Sequence, residues 1–216
     1  LTGFELLWNN TYQTMTNEDI HYQYHMQKTE AYVVFVELLG KHAQRDAQDP
    51  QDACAHGFEQ DWIADACFFD TVAAQEECWK IREDVAALEL YAPHNQHFDI
   101  SIPIGDIGQI INDILSKLQH VEGVLGAYPF GHVADGNMHL IVGKENNSQQ
   151  LTKQINEIVY QPLAAVKGSI SAEHGIGMDK KPYLQLSRSQ DEIKFMKGLK
   201  QLFDPKNILN PGRIVD

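Results

Sequence analysis

The chain has 216 residues, three cysteines and a formal net charge of −13 at pH 7. Its length suits one large domain or two small ones with a real apolar core, and the acidic balance argues against a nucleic-acid partner, whose phosphates demand basic patches. No run of about eighteen apolar residues is present to span a membrane, and the first residues, Leu1-Thr-Gly-Phe-Glu5, lack the zones of a signal peptide. Cys54, Cys67 and Cys78 form no CxxC pair, so a structural zinc cluster or a disulfide framework is not expected. Reduced thiols fit an intracellular protein, soluble or peripherally membrane-associated.

Tyr32 to Leu39 is a continuous apolar run, short enough to be a buried strand. The sequence predicts a helix over Asp49 to Trp62 and an extended segment over Cys67 to Thr71. Cys78, Ile81, Val85 and Leu88 recur at helical spacing, which marks one face of a helix from about Ala74 to Leu90. His97 to Ile102 alternates as a strand, and Pro103 opens a helix whose buried stripe is Ile107, Ile110, Ile114 and Leu118. After a hairpin, Leu151, Ile155, Ile158 and Leu163 mark another helix. Gly168 to Ala172 reads as a short buried strand, and Ile193, Met196, Leu199 and Phe203 form the last helix. Strand and helix units with one clear hairpin predict an α+β sandwich, a mixed or antiparallel sheet covered by helices, which two ferredoxin-like halves would satisfy. A doubly wound dinucleotide fold lacks its Gly-rich phosphate loop here.

The hairpin carries the chemistry. Asp135-Gly136 between apolar runs signals a two-residue turn, because Gly takes the left-handed backbone at no cost and Asp at little. Ala134 then pairs with Asn137, Val133 with Met138 and His132 with His139. Directly opposed Cβ atoms lie about 4.5–5.5 Å apart, close enough for both rings to reach one ion. A third ligand is available in Gly168-Ser-Ile-Ser-Ala-Glu-His-Gly-Ile-Gly177, where Glu173 and His174 would stand at a strand end. Two His and one carboxylate are a common catalytic zinc set. Two surface histidines beside a polar loop account for the spacing equally well.

Three motifs in order add a resemblance: Gly131-His-Val-Ala-Asp-Gly-Asn-Met-His139, Ser171-Ala-Glu-His-Gly-Ile-Gly177 and Phe203-Asp-Pro-Lys-Asn-Ile-Leu-Asn-Pro-Gly-Arg213. Together they resemble the C-terminal half of the FAD-linked oxidases, the D-lactate and D-2-hydroxyglutarate dehydrogenase branch of the vanillyl-alcohol oxidase type flavoproteins. The similarity runs over nearly the whole chain. It implies that residues 1–216 form a cap or substrate domain of duplicated ferredoxin-like design, packed in the full-length protein on an N-terminal FAD-binding domain that would precede Leu1. By itself such a piece would not turn over.

Carried over residue by residue, the resemblance makes His132, His139 and Glu173 ligands of a divalent metal, zinc in the usual assignment, and His174 the acceptor of the substrate hydroxyl proton. Histidine suits that task because its ordinary pKa lies near working pH. Arg82 corresponds to an arginine that grips a substrate carboxylate; from its surroundings in sequence it reads instead as a solvated helix arginine paired with Glu83 or Glu89. Asn210 lies in the tail segment that returns to the flavin cofactor. The implied partners are a small 2-hydroxy acid and an electron acceptor such as a quinone, a cytochrome or an electron-transfer flavoprotein, and a homodimer is left open. A metal or ligand binding module without redox activity is the alternative.

Departures from the 2-hydroxyglutarate pattern stand out. His97 replaces a lysine, Ala86 a threonine and Ile141 an asparagine, so three polar substrate contacts change while the metal set is intact. These changes point to retained chemistry on a substrate other than 2-hydroxyglutarate. Trp8, Trp62 and Trp79 read as core or domain-interface aromatics, and His21, His25 and His94 as exposed. Lys180-Lys181 reads as a small basic spot. Phe4, Leu6, Leu7 and Trp8 read as a patch for the preceding domain.

Overall fold

A computed structural model of the chain describes residues 1–17, 20, 22 and 30–215, and the statements below concern these. His21 and His25 lie outside them. The residues group into two compact units, Leu1–Tyr91 with Tyr128–His132, and Ala92–Ala127 with Val133–Asp216. The fold is α+β. The strands are β1 (Gly3–Trp8), β2 (Tyr32–Glu37), β3 (Gln96–Ser101), β4 (Val124–His132) and β5 (Asn137–Lys144), hydrogen-bonded in the order β2-β1-β4-β5-β3.

The second unit follows the ferredoxin-like sequence of elements closely. Strand β3 leads into helix α5 (Ile107–Leu118), then β4, β5 and helix α6 (Gln149–Ala165). The sixth element, the strand expected at Gly168 to Ala172, is reduced to a single antiparallel bridge between Ser101 and Ser169. Side chains supply the missing ladder. The Ile170 N–H goes to Ser187 Oγ at 2.9 Å and the Ala172 N–H to Asp99 Oδ2 at 3.1 Å. Every backbone donor so satisfied is one fewer available to a neighbouring strand.

Strands β3 and β5 pair antiparallel, Phe98 opposite Leu140 and Asp99 opposite His139. Side chains alternate across a strand, so Phe98, Ile100, Met138, Leu140 and Val142 share one face, all 2% exposed or less. Phe98 meets Tyr160 of α6 edge-on at 5.3 Å between ring centres. The buried stripe of α5 falls on Ile107, Ile110, Ile114 and Leu118, as its spacing predicts. In α6 the interior positions are Leu151, Ile155 and Leu163 with Val159 and Tyr160, whereas Ile158 is only partly covered. The opposite face of β3 and β5 carries His97, Asp99, Ser101, Asn137, His139 and Ile141, which is where polar function can sit without disturbing the core.

The first unit pairs β1 with β2 and with the end of β4, both antiparallel. Its core is Leu7 and Trp8 of β1, Tyr12 and Met15 of helix α1 (Asn9–Met15), and Val33, Ile81 and Leu88. Leu7 and Trp8 therefore belong to this core rather than to a patch kept for another domain. The run from Tyr32 is an edge strand, not a buried one: only Val33 is enclosed, and Val34 and Val36 are 45% and 53% exposed. The helix begins earlier than expected, as α2 (Ala43–Glu59), and Cys67–Thr71 forms no strand. The helix expected over Ala74 to Leu90 is two, α3 (Val72–Glu83) and α4 (Val85–Glu89). They break at Asp84, whose carboxylate leaves the helical course to accept the Ala87 N–H and cap α4. Trp62 is 74% exposed and so is not a core residue, while the Trp79 ring lies tilted against Phe35, 6.2 Å between centres.

Candidate functional site

The site loop of the second unit is built around Asp99. In mid-strand β3 this carboxylate is wholly enclosed, and burial alone would raise its pKa. The His174 N–H at 2.8 Å and the Glu173 N–H at 3.0 Å, the Lys180 ammonium at 3.4 Å and the Ser171 hydroxyl at 3.1 Å all point at it instead. Together they outweigh desolvation and hold it at about 2. Lys180 is itself drawn in: its side chain is 12% exposed and donates to Ser171 Oγ at 2.9 Å. Burial lowers its pKa against the pull of Asp99. Lys180 is thus a buttress of this loop, not part of a surface basic spot.

This anchoring turns the loop outward after Ser171. Gly175 and Gly177, with φ of 78° and 57°, supply left-handed backbone that other residues adopt at a cost. Glu173 and His174 are exposed between the anchor and the glycines. Glu173 Oε1 accepts from Asn137 Nδ2 at 2.6 Å. The His174 ring stacks on that of His139, 6.0 Å between centres and 25° between planes.

Within this unit His139 and Glu173 bring a ring nitrogen and a carboxylate oxygen within 4.8 Å of each other, and so do Asp99, Glu173 and His174. The two groupings are chemically unequal. Asp99 has already spent its lone pairs on N–H and O–H donors, so an ion would have to displace several hydrogen bonds to use it. His139 and Glu173 place their ligand atoms within reach of one small cation. The Oδ1 of Asn137, 4% exposed, is a buried acceptor without a hydrogen-bond partner, a local excess of negative potential that suits a cation. This donor set fits a small divalent ion.

The hairpin connection differs from expectation. Val133–Asp135 forms a 3₁₀ turn and Gly136 completes it, so four residues link the strands. The two-residue turn, with Ala134 paired to Asn137 and Val133 to Met138, does not form. Asp135 Oδ1 accepts the Asn137 N–H at 3.0 Å, an interaction that stabilises the longer turn. Gly136 has φ 78°, and its carbonyl accepts the Ile102 N–H at 2.9 Å. A Cβ there would lie 2.2 Å from the Ile102 carbonyl oxygen.

Other sequence candidates lie as follows. His132 closes β4 in the first unit, its Nδ1 2.5 Å from Glu5 Oε1. Arg82, on α3 of the same unit, pairs with neither Glu83 nor Glu89. Its Nε donates to Glu5 Oε2 at 2.8 Å, both side chains 9% exposed, and its guanidinium lies over the Phe130 ring at 4.7 Å. His97 is exposed and sits directly across from Ile141, so two of the three departures from the 2-hydroxyglutarate pattern face each other one step from Asp99 and His139. Ala86 lies on α4. Asn210 is exposed in the C-terminal tail with φ 48°. The tail is pinned to the site loop by the Ile214 N–H on the Gly177 carbonyl at 3.0 Å. Asp99, Glu5 and Asn137 were not among the sequence candidates. An Asp inside the apolar stretch Phe98-Asp-Ile-Ser-Ile102 and a Glu inside Phe4-Glu-Leu-Leu-Trp8 were the signals to follow.

The family model described as FAD linked oxidases, C-terminal domain, matches residues 1–214. The chain belongs to that family. Among curated relatives, the mitochondrial D-2-hydroxyglutarate dehydrogenase of Arabidopsis thaliana is 28% identical over 215 residues, covering 100% of this chain and 38% of the relative. The D-2-hydroxyglutarate dehydrogenase of Stutzerimonas stutzeri (strain A1501) is 34% identical over 172 residues, covering 74% and 35%. That of Rattus norvegicus, also mitochondrial, is 30% identical over 215 residues, covering 98% and 39%. The chain therefore spans between 35% and 39% of these relatives' lengths. No helix among the described residues is long and apolar enough to cross a membrane.

Proposed function

We propose that this chain is the substrate- and metal-bearing domain of a flavin-dependent D-2-hydroxyacid dehydrogenase, with His132, His139 and Glu173 as ligands of a divalent ion, zinc by the chemistry of an N, N, O donor set. The observation that carries the reading is the Asp99 anchor. It holds Glu173 and His174 by their backbone N–H groups at 3.0 and 2.8 Å while leaving both side chains in solvent, beside the His139 ring.

Held by these residues, a divalent ion would supply polarisation of the substrate hydroxyl and carboxylate, and the flavin would supply the hydride acceptor. His174 takes the hydroxyl proton: its side chain is 58% exposed, and its Nδ1 lies 3.9 Å from the Asp99 carboxylate. Asn137 fixes one oxygen of Glu173 and so orients the other. FAD would be held mainly by a domain N-terminal to this one, with Asn210 contributing from the tail. Arg82 and His97 are the residues offered to the acid groups of the substrate. The electron acceptor falls among quinones, cytochromes and electron-transfer flavoproteins. The relatives named above act, by their names, on D-2-hydroxyglutarate; the facing pair His97 and Ile141 supports a different D-2-hydroxy acid here.

Anaerobic mixing of the full-length protein with a panel of D-2-hydroxy acids, followed by flavin absorbance, tests this. Bleaching by an acid other than D-2-hydroxyglutarate is expected, slowed about 100-fold or more in His174→Gln. A strong preference for D-2-hydroxyglutarate contradicts the substrate reading, and absence of bleaching by any member contradicts the dehydrogenase reading.

A further inference from the structure

Glu5 lies on β1, directly opposite His132 in the antiparallel register of β1 with the end of β4. Its carboxylate is 9% exposed and spans two partners: Oε1 is 2.5 Å from His132 Nδ1, and Oε2 accepts from Arg82 Nε at 2.8 Å. We infer that Glu5 is a positioning residue that fixes the tautomer and aim of His132, so that His132 meets the ion through Nε2 and not Nδ1. The inference rests on the assignment of His132 as a metal ligand made above.

The argument is one of donors and acceptors. An ionised carboxylate can only accept, so the proton of a neutral His132 ring must sit on Nδ1, which leaves the lone pair on Nε2. Ligating histidines are commonly oriented in this way by a carboxylate on the far ring nitrogen, which also makes the ligating nitrogen more basic. A buried carboxylate serves only if its charge is compensated. Arg82 supplies that charge, and Phe130, two residues before His132, holds the guanidinium against its ring at 4.7 Å. One element, the β4 end, thus carries both the histidine and the aromatic platform for the cation behind its partner. The sequence Phe4-Glu5-Leu6 gives no local reason for an acid at this place: its neighbours in the strand pattern, Leu7 and Trp8, are core. A charged side chain here is costly unless used.

Zinc affinity of the full-length protein, measured by competition with a chromophoric chelator, tests the assignment. Glu5→Gln removes the acceptor charge with little change in shape and should weaken zinc binding about 10- to 100-fold, while His139→Ala abolishes it. Wild-type affinity in Glu5→Gln, with zinc still lost in His139→Ala, overturns the role of Glu5 and leaves the metal reading standing. A wild-type protein that takes up no zinc overturns both. Should Glu5→Gln not fold, a crystal structure of the zinc-loaded wild type decides: Nε2 of His132 on the ion with Nδ1 on Glu5 is expected, and an ion on Nδ1, or a His132 away from it, refutes the inference.

Discussion

Asp99 shows how one residue can set both stability and site geometry. Its folded pKa, held at about 2, lies below the ordinary value of 3.8. A depressed carboxylate contributes stability that is complete above the unfolded pKa and is lost as pH falls through the folded one. The contribution, about 2 kcal/mol from a displacement of this size, should fade between about pH 4 and pH 2. Urea midpoints of wild type and Asp99→Asn, measured down the acid range, check this: the gap between them should narrow as pH falls. A gap that is constant with pH would mean that the five donors act by shape and not on charge. At Gly136 the constraint is steric. With φ at 78° and a carbonyl oxygen 2.2 Å from where a Cβ would stand, Gly136→Ala should cost about 2 kcal/mol or more, readable as a lowered thermal midpoint. A change under about 0.5 kcal/mol would show the hairpin turn to be more pliable than described.

Among the elements, legibility in sequence followed packing. Helix α5 was readable because a helix with one buried stripe repeats its apolar residues at the helical period, and β3 because one face is core and the other polar. The bridge at Ser169 could not be read as such: Ser-Ile-Ser-Ala has the composition of a strand, and only the arrival of Asp99 and Ser187 from elsewhere diverts its N–H groups. The break at Asp84 was hidden for a related reason, since Ile81 and Leu88 keep helical spacing on both sides of a side-chain cap. Helix α7 (Gln190–Phe203) forms where its apolar repeat predicts, but none of its residues is buried; Phe195, Leu202 and Phe203 are 68%, 72% and 76% exposed. With only Ile193, Met196 and Lys200 partly covered, local terms, above all the capping box of Ser189 and Glu192, carry much of its order. Ser189→Ala should therefore loosen α7 by about 1 kcal/mol, seen as faster amide exchange in that helix, whereas exchange in α5 stays as it was. Equal changes in both helices would show that α7 is coupled to the core after all.

For the whole molecule, what the sequence carried best was which polar side chains of the second unit come together. His139, Glu173 and His174 are gathered in the second unit by the strand register and the Asp99 anchor, and the motifs that hold them are short enough to be read directly. What it carried least well were the residues behind them, because Glu5, Asn137 and Asp99 act across strand pairings that join positions far apart in the chain. The account stands on Glu173 and His139 being ion ligands and not merely polar neighbours. Metal analysis of the purified full-length protein after exhaustive dialysis tests that most directly. The account predicts close to one equivalent of zinc per chain in the wild type and almost none in Glu173→Gln or His139→Ala at unchanged fold; a wild type free of metal, or variants that retain it, would contradict it.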